Sequence, residues 1–188
     1  MHDATNLTGK TLIAMPDMGD TRFDRSVIFL CAHSDEGAMG LMINMLSDGI
    51  TLSHLAEQLD IETEPGFQNR PVHTGGPVEQ ERGFVLHTSD YSSAISTLEV
   101  TPDISMTGTL DVIEDLVEGT GPDVALICLG YCGWGPGQLE SELAQNAWLV
   151  GNAPLPLIFA TPDARKWEAA LASLGVTPLN LSMDAGHA

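Results

Sequence analysis

Short apolar runs, punctuated by Gly, Pro, Asn and Asp, set the pattern of this chain. "KTLIAMP" (Lys10–Pro16) and "RSVIFLCAH" (Arg25–His33) have the length and the bounding turn residues of β-strands. In the second run Val27, Phe29, Cys31 and His33 share one face, and Ile28, Leu30 and Ala32 the other, because side chains alternate along a strand. Both faces are largely apolar, which predicts a central, buried strand. "AMGLMIN" (Ala38–Asn44), "RGFVLH" (Arg82–His87), "DVALICLG" (Asp123–Gly130) and "LPLIFA" (Leu155–Ala160) read as strands on the same grounds. "TLEVTPDISMT" predicts a hairpin that turns at Pro102-Asp103.

Elsewhere the apolar spacing is helical. Thr51 is placed to cap a helix carrying Leu52, Leu55 and Leu59 on one stripe. "GTLDVIEDLVEG" turns Leu110, Ile113 and Val117 inward and leaves Asp111, Glu114, Asp115 and Glu118 on a solvated face. Thr161 and Pro162 open a helix whose buried stripe is Trp167, Leu171 and Leu174, and Gly175 stops it. Beyond Gly137, Leu139, Leu143 and Ala147 form a further inward stripe. Strands and helices alternate irregularly around the antiparallel hairpin. That order predicts an α+β (mixed α/β) architecture, a mixed sheet with helices packed on it, in place of a strict βαβ repeat. With no linker, low-complexity segment or repeat, the 188 residues read as one domain, 1–188.

Charge narrows the partners. Seven Lys and Arg stand against 26 Asp and Glu, a net charge of −19, and no Lys or Arg lies between Arg82 and Arg165. Affinity for nucleic acid comes largely from Lys and Arg displacing counterions, so direct nucleic-acid binding is disfavoured. An unidentified protein or small molecule is the expected partner. The acidity itself suits solubility, adaptation to a saline source, or docking of a basic partner. "MHDATNLTGK" lacks the basic-then-apolar pattern of a signal peptide, and runs such as "VALICLG" are too short to span a bilayer. Three cysteines without CxxC spacing do not form a disulfide framework, so a cytoplasmic protein with reduced thiols is expected.

"ICLGYCGWGPGQLESEL" (Ile127–Leu143) is the first stretch to test for chemistry. A phosphate cradle needs inward-pointing backbone N–H groups, usually with a Lys. Here Pro136 removes one donor, no Lys follows, and Glu140 and Glu142 already complement the start of the helix. Gly130, Gly133, Gly135 and Gly137 also miss the G-x-G-x-x-G spacing of a dinucleotide site. Gly130–Gly137 therefore reads as a strand-to-helix corner. Trp134 within it either folds onto the core or stands beside a cleft.

"VHTGGPVEQERGFVLH" offers Gly75 and Gly76, which can leave an amide exposed, and Arg82, either in an ion pair or anchoring a ligand anion. His33, His73 and His87 lie in or beside separate strand-like runs, with Cys31 near one of them, but no metal-ligand spacing is present. Cys31 shares a strand face with His33 and is the better candidate for a reactive thiol, against a packed, inert one. Cys128 falls in a strand and Cys132 in the turn, which separates them. No G-x-S-x-G elbow occurs. No catalytic set, metal or cofactor is assigned.

Taken in order, "LTGKTLIAMPDM", "FDRSVIFLCAH", "GAMGLMIN", "GGPVEQERGFVLH", "GYCGWGPGQLESEL", "NAWL" and "WEAALASLG" resemble the AlgH/YqgE family of bacterial proteins nearly end to end. The resemblance implies a compact mixed α/β fold with a strongly curved, partly barrel-like sheet. It implies no established catalytic residue. Gly75, Gly76, Arg82, Trp134, Gly137 and Gln138 match signature positions of the family, and Gly133 lies in the same glycine-rich turn. Cys31 falls in a typical family segment, whereas Cys132 occupies a place often held by another small residue, which weakens a two-cysteine mechanism. Some members carry the label of transcriptional regulator from a genetic association with alginate production. Three functions stay open on this basis: a non-catalytic ligand- or protein-binding module, a thiol enzyme or redox sensor using Cys31, and a regulator of transcription acting through a partner.

Overall fold

In the run from Val27 to Ser34 the first five residues are buried, with Val27, Ile28, Phe29 and Leu30 fully enclosed. In the computed structural model, which describes residues 5–16 and 19–184, it forms strand β2, following β1 (Thr11–Ala14) and followed by β3 (Gly37–Met42). β2 lies antiparallel between these two, the central position that two apolar faces require. The ladder slips between Leu30 and Ala32, so the simple two-face alternation stops there. The rest of the chain follows as β4 (Leu46–Thr51), α1 (Leu52–Gln58), β5 (Pro71–Thr74) and β6 (Val78–Thr88). Next come β7 (Leu98–Glu99), β8 (Ile104–Thr107), α2 (Asp111–Glu118), β9 (Ala125–Trp134) and α3 (Gln138–Ala144). β10 (Trp148–Gly151), α4 (Asp163–Ser173) and α5 (Pro178–Asp184) complete it.

These elements gather into two compact units, Met1–Asn44 with Cys132–Ala188, and Met45–Tyr131. In the first, β10, β1, β2 and β3 are antiparallel in that order, and Cys132–Trp134 of β9 pairs with β3. α4 packs on β1 and β2 through Trp167, Ala170 and Leu171, and the Trp167 indole N–H donates to the Ala14 carbonyl at 2.9 Å. Leu174, expected in that stripe, is exposed, because it lies beyond the last turn, just before Gly175 (φ +72°). The helix also opens one residue later than expected, with Pro162 in the cap position. Lys166 is buried beside Trp167, and no apolar pattern pointed to it. Its ammonium donates to the Ile43 carbonyl at 2.6 Å and pairs with Asp163 at 2.9 Å.

The expected strand Leu155–Ala160 is instead a single wide helical turn, Pro156–Ala160, in which the Thr161 N–H bonds to the Pro156 carbonyl. Pro154 and Pro156 have no N–H to give a ladder. Leu157 and Ile158 still reach the core from this turn.

In the second unit, β9 lies between parallel β5 and antiparallel β6, β8 follows β6, and β7 pairs with β8 as the expected hairpin. β4 pairs with β5 in an irregular register. α1 and α2 bury Leu52, Leu55, Ile113 and Val117 against Val72, Val85 and Ile127. Leu59 and Leu110, both assigned inward positions by spacing, are exposed: each occupies a helix cap, and Ala56, Val112 and Leu116 fill the space. The mixed α/β architecture thus holds, and the strands pair antiparallel except for β5 with β9. Among the described residues β10 pairs only with β1 and β7 only with β8, so neither unit closes its strands into a barrel. No helix among the described residues is long and apolar enough to cross a membrane.

Candidate ligand pocket

The glycine-rich stretch divides into strand and corner. β9 continues through Cys132 and Gly133 to Trp134, so only Gly135–Gly137 make the turn into α3, and Cys132 shares a strand with Cys128. Gly130 has φ +75°, and a Cβ there would fall 2.3 Å from the Gly76 carbonyl oxygen. Close backbone approach is the reason for glycine at this point. Gly75 and Gly76 are buried, and the Gly75 N–H donates to the Leu129 carbonyl at 2.7 Å. At the corner the Gln138 side chain accepts the Gly135 N–H at 3.0 Å, while the Gln138 N–H donates back to the Gly135 carbonyl. Gln138 therefore closes the turn upon itself. Trp134 takes the core alternative: it is buried, edge-on to Trp148 with ring centres 6.3 Å apart. Gly133 is exposed opposite Met39, and Gly137 is an exposed left-handed residue.

Arg82 lies in the second unit with Gly75 and Gly76, whereas Gly133, Trp134, Gly137 and Gln138 lie in the first. Four residues, 79–82, loop out where β6 slips against β9. There the Arg82 guanidinium sits 4.9 Å from the Phe84 ring centre and 3.6 Å from the Glu79 carboxylate. Both charges are more than half exposed, so this pair contributes little to stability.

All three cysteines are buried and unbridged. Burial pushes the thiols of Cys31 and Cys132 up to about 12, so neither is a thiolate at neutral pH. Native-state labelling of Cys31 by a thiol reagent at pH 7.5 is therefore expected to run far below the rate of free cysteine and to recover on denaturation. Labelling at the free-cysteine rate contradicts this.

The three histidines are placed apart in role. His87 is buried in the second unit; its Nδ1–H donates to the Thr88 carbonyl at 2.7 Å and its Nε2 accepts from the Thr107 hydroxyl at 2.8 Å. Burial lowers its pKa. The Thr97 hydroxyl extends this chain at 2.8 Å and itself accepts the Ser93 N–H, so the imidazole anchors the 93–97 segment. His73 lies on β5 in the same unit. Among the described residues no group of three or more His, Cys, Asp and Glu is placed to hold a metal ion.

His33 belongs to a different construction. At the end of β2, its Nδ1 accepts the Leu7 N–H at 3.0 Å, which fixes the proton on Nε2. That N–H donates to a carboxylate oxygen of Glu140, on the first turn of α3, at 2.6 Å. The hydrogen bond from His33 holds the Glu140 carboxyl below its usual range. The His33 side chain is 4% exposed and that of Glu140 44%, so a buried ring braces a part-exposed acid. The two residues border a cavity of about 290 Å³, completed by Thr5, Leu7, Leu143 and Val150. Sequence reasoning missed this pair, because 107 residues separate its members and each had a local explanation. A second, larger concavity of about 840 Å³ lies in the second unit between residues 62–70 and the end of α2, edged by Glu62, Glu64, Glu118 and Asp123.

Together these features define a mixed α/β protein with enclosed thiols, self-satisfied glycine corners and a small pocket bordered by a braced carboxylate. The chain belongs to the AlgH-like family (DUF179), whose profile matches residues 11–179. It is 52% identical to a UPF0301 protein of Ruegeria pomeroyi over 97% of this chain and all of that one, and 47% identical to one of Rhodospirillum rubrum over 97% and 94%. Among solved structures it is similar to the AlgH protein of Pseudomonas aeruginosa, with a TM-score of 0.81 and 43% identity over 100% of this chain and 99% of that one. A Corynebacterium diphtheriae protein shares the fold at a TM-score of 0.68 and 23% identity, over 88% and 85% of the two chains.

Proposed function

We propose that this protein is a non-catalytic binding module whose His33–Glu140 pocket takes a small molecule. The observation that carries the reading is the pairing itself: a buried imidazole oriented by a backbone amide, holding a carboxylate at the mouth of a cavity with apolar walls. Such pockets bind through apolar contact and use a few fixed polar groups for orientation. The same geometry is poor for proton transfer. The one acceptor nitrogen of His33 is occupied by Leu7, and a carboxylate with lowered pKa is a weak base at neutral pH. Enclosed, protonated thiols likewise favour binding over the alternative of a Cys31-dependent enzyme or redox sensor. Any influence on transcription runs, on this reading, through a protein partner, since a chain of net charge −19 repels DNA.

The test is native mass spectrometry of protein purified without harsh washing. Wild type is expected to retain a small molecule that Val150→Phe, which fills the cavity, has lost while keeping its thermal stability within a few degrees. Retention unchanged in Val150→Phe places the ligand elsewhere and removes the proposal.

A further inference from the structure

We infer that the pocket selects small ammonium compounds, a primary amine on a short apolar body; this rests on the binding reading above. The polar inventory of the cavity decides the sign of its ligand. Among the described residues its polar lining is Thr5, His33 and Glu140, with no Lys or Arg. The His33 Nε2–H is spent on Glu140 and the Leu7 N–H on His33, so of the side chains in the lining only the neutral Thr5 hydroxyl can still donate, and no cation faces an anion. Glu140 stays ionised at and below neutral pH because the imidazole hydrogen bond favours its charged form. Nearly half of its side chain is open, and one oxygen bonded to His33 leaves further lone pairs on the group. The site thus presents an acceptor with fixed negative charge and two kinds of apolar wall: Leu7 and Leu143 from a loop and a helix, Val150 from a strand. A group that meets Glu140 does so by donating hydrogen bonds and is favoured by positive charge, whereas the carboxylate repels an entering carboxylate or phosphate. At about 290 Å³ the cavity lies at the small end of ligand sites, which limits the apolar body to a few carbons.

The experiment compares n-butylamine, n-butanol and butyrate as probes, following the amides of Leu7, Glu140, Leu143 and Val150 by two-dimensional NMR. Butylamine is expected to shift these amides at millimolar concentration, butanol more weakly, and butyrate not at all. Glu140→Gln keeps an acceptor for His33 but removes the charge. It should weaken butylamine by about fivefold or more and leave butanol within about twofold. Asp103→Asn, an exposed change in the other unit, should leave butylamine within about twofold, which separates the pocket from general attraction to an acidic protein. Shifts with butanol or butyrate equal to those with butylamine overturn the ammonium selectivity and leave the pocket standing. If equal losses follow Glu140→Gln and Asp103→Asn, the attraction is diffuse and the inference fails. No shift with any probe removes both the selectivity and the pocket.

Discussion

Gly130→Ala is expected to destabilise the protein by about 2–5 kcal/mol. The residue sits within β9 at φ +75°, a conformation that costs an L-residue about 1–2 kcal/mol. The added Cβ would also meet the Gly76 carbonyl oxygen at 2.3 Å and the Val78 carbonyl oxygen at 3.0 Å. Both obstacles are backbone, so the strands must part, which adds about 1–3 kcal/mol as in other overpacked sites. Gly137→Ala is the matched control. Its φ is +74°, but nothing lies within 4 Å of a Cβ there, so only the backbone cost of about 1–2 kcal/mol applies. Urea unfolding of the two variants separates conformational strain from steric approach. Equal losses in both contradict the role given to the Gly76–Gly130 contact.

Lys166→Met has the second large effect, a loss of about 3 kcal/mol measured in the same way. Methionine keeps most of the side-chain volume but takes the donor from the Ile43 carbonyl and the cation from Asp163. A buried group that loses its partner bears its full desolvation cost, whereas removing both halves of a pair is often nearly neutral. The double variant Lys166→Met/Asp163→Asn should therefore recover part of the loss. A single variant as stable as wild type would show that Lys166 contributes nothing through its charge.

The first of these sites lies in a stretch that the sequence marked and the second in one that it did not. Gly130–Gly137 reads as a strand-to-helix corner, but the structure places Gly130 inside β9, where the strand passes close to a second backbone. The central strand β2, the β7–β8 hairpin and the stripes of α2 and α4 were visible because their burial repeats with the period of the element. β4, β5 and β10 were not. β4 carries "LSDGIT", whose half-exposed residues lack alternation, and β5 and β10 have four residues each. The apolar run at Leu155–Ala160 had a strand's composition, but two prolines decided its backbone. Lys166 and the His33–Glu140 pair depend on contacts across 123 and 107 residues, which no local pattern encodes. The glycine-rich signature residues drew attention to the turn, whereas the structure draws it to Glu140, two residues beyond Gln138.

The central claim, that this protein binds without converting, is tested most directly by incubating it at substoichiometric amounts with the small-molecule fraction of its native lysate. Mass spectrometry before and after then follows each compound. The account predicts one compound retained in proportion to the protein, released unaltered on denaturation, and absent from Val150→Phe. Steady disappearance of a compound over many equivalents, with a matching product and a dependence on His33 or Cys31, would contradict it.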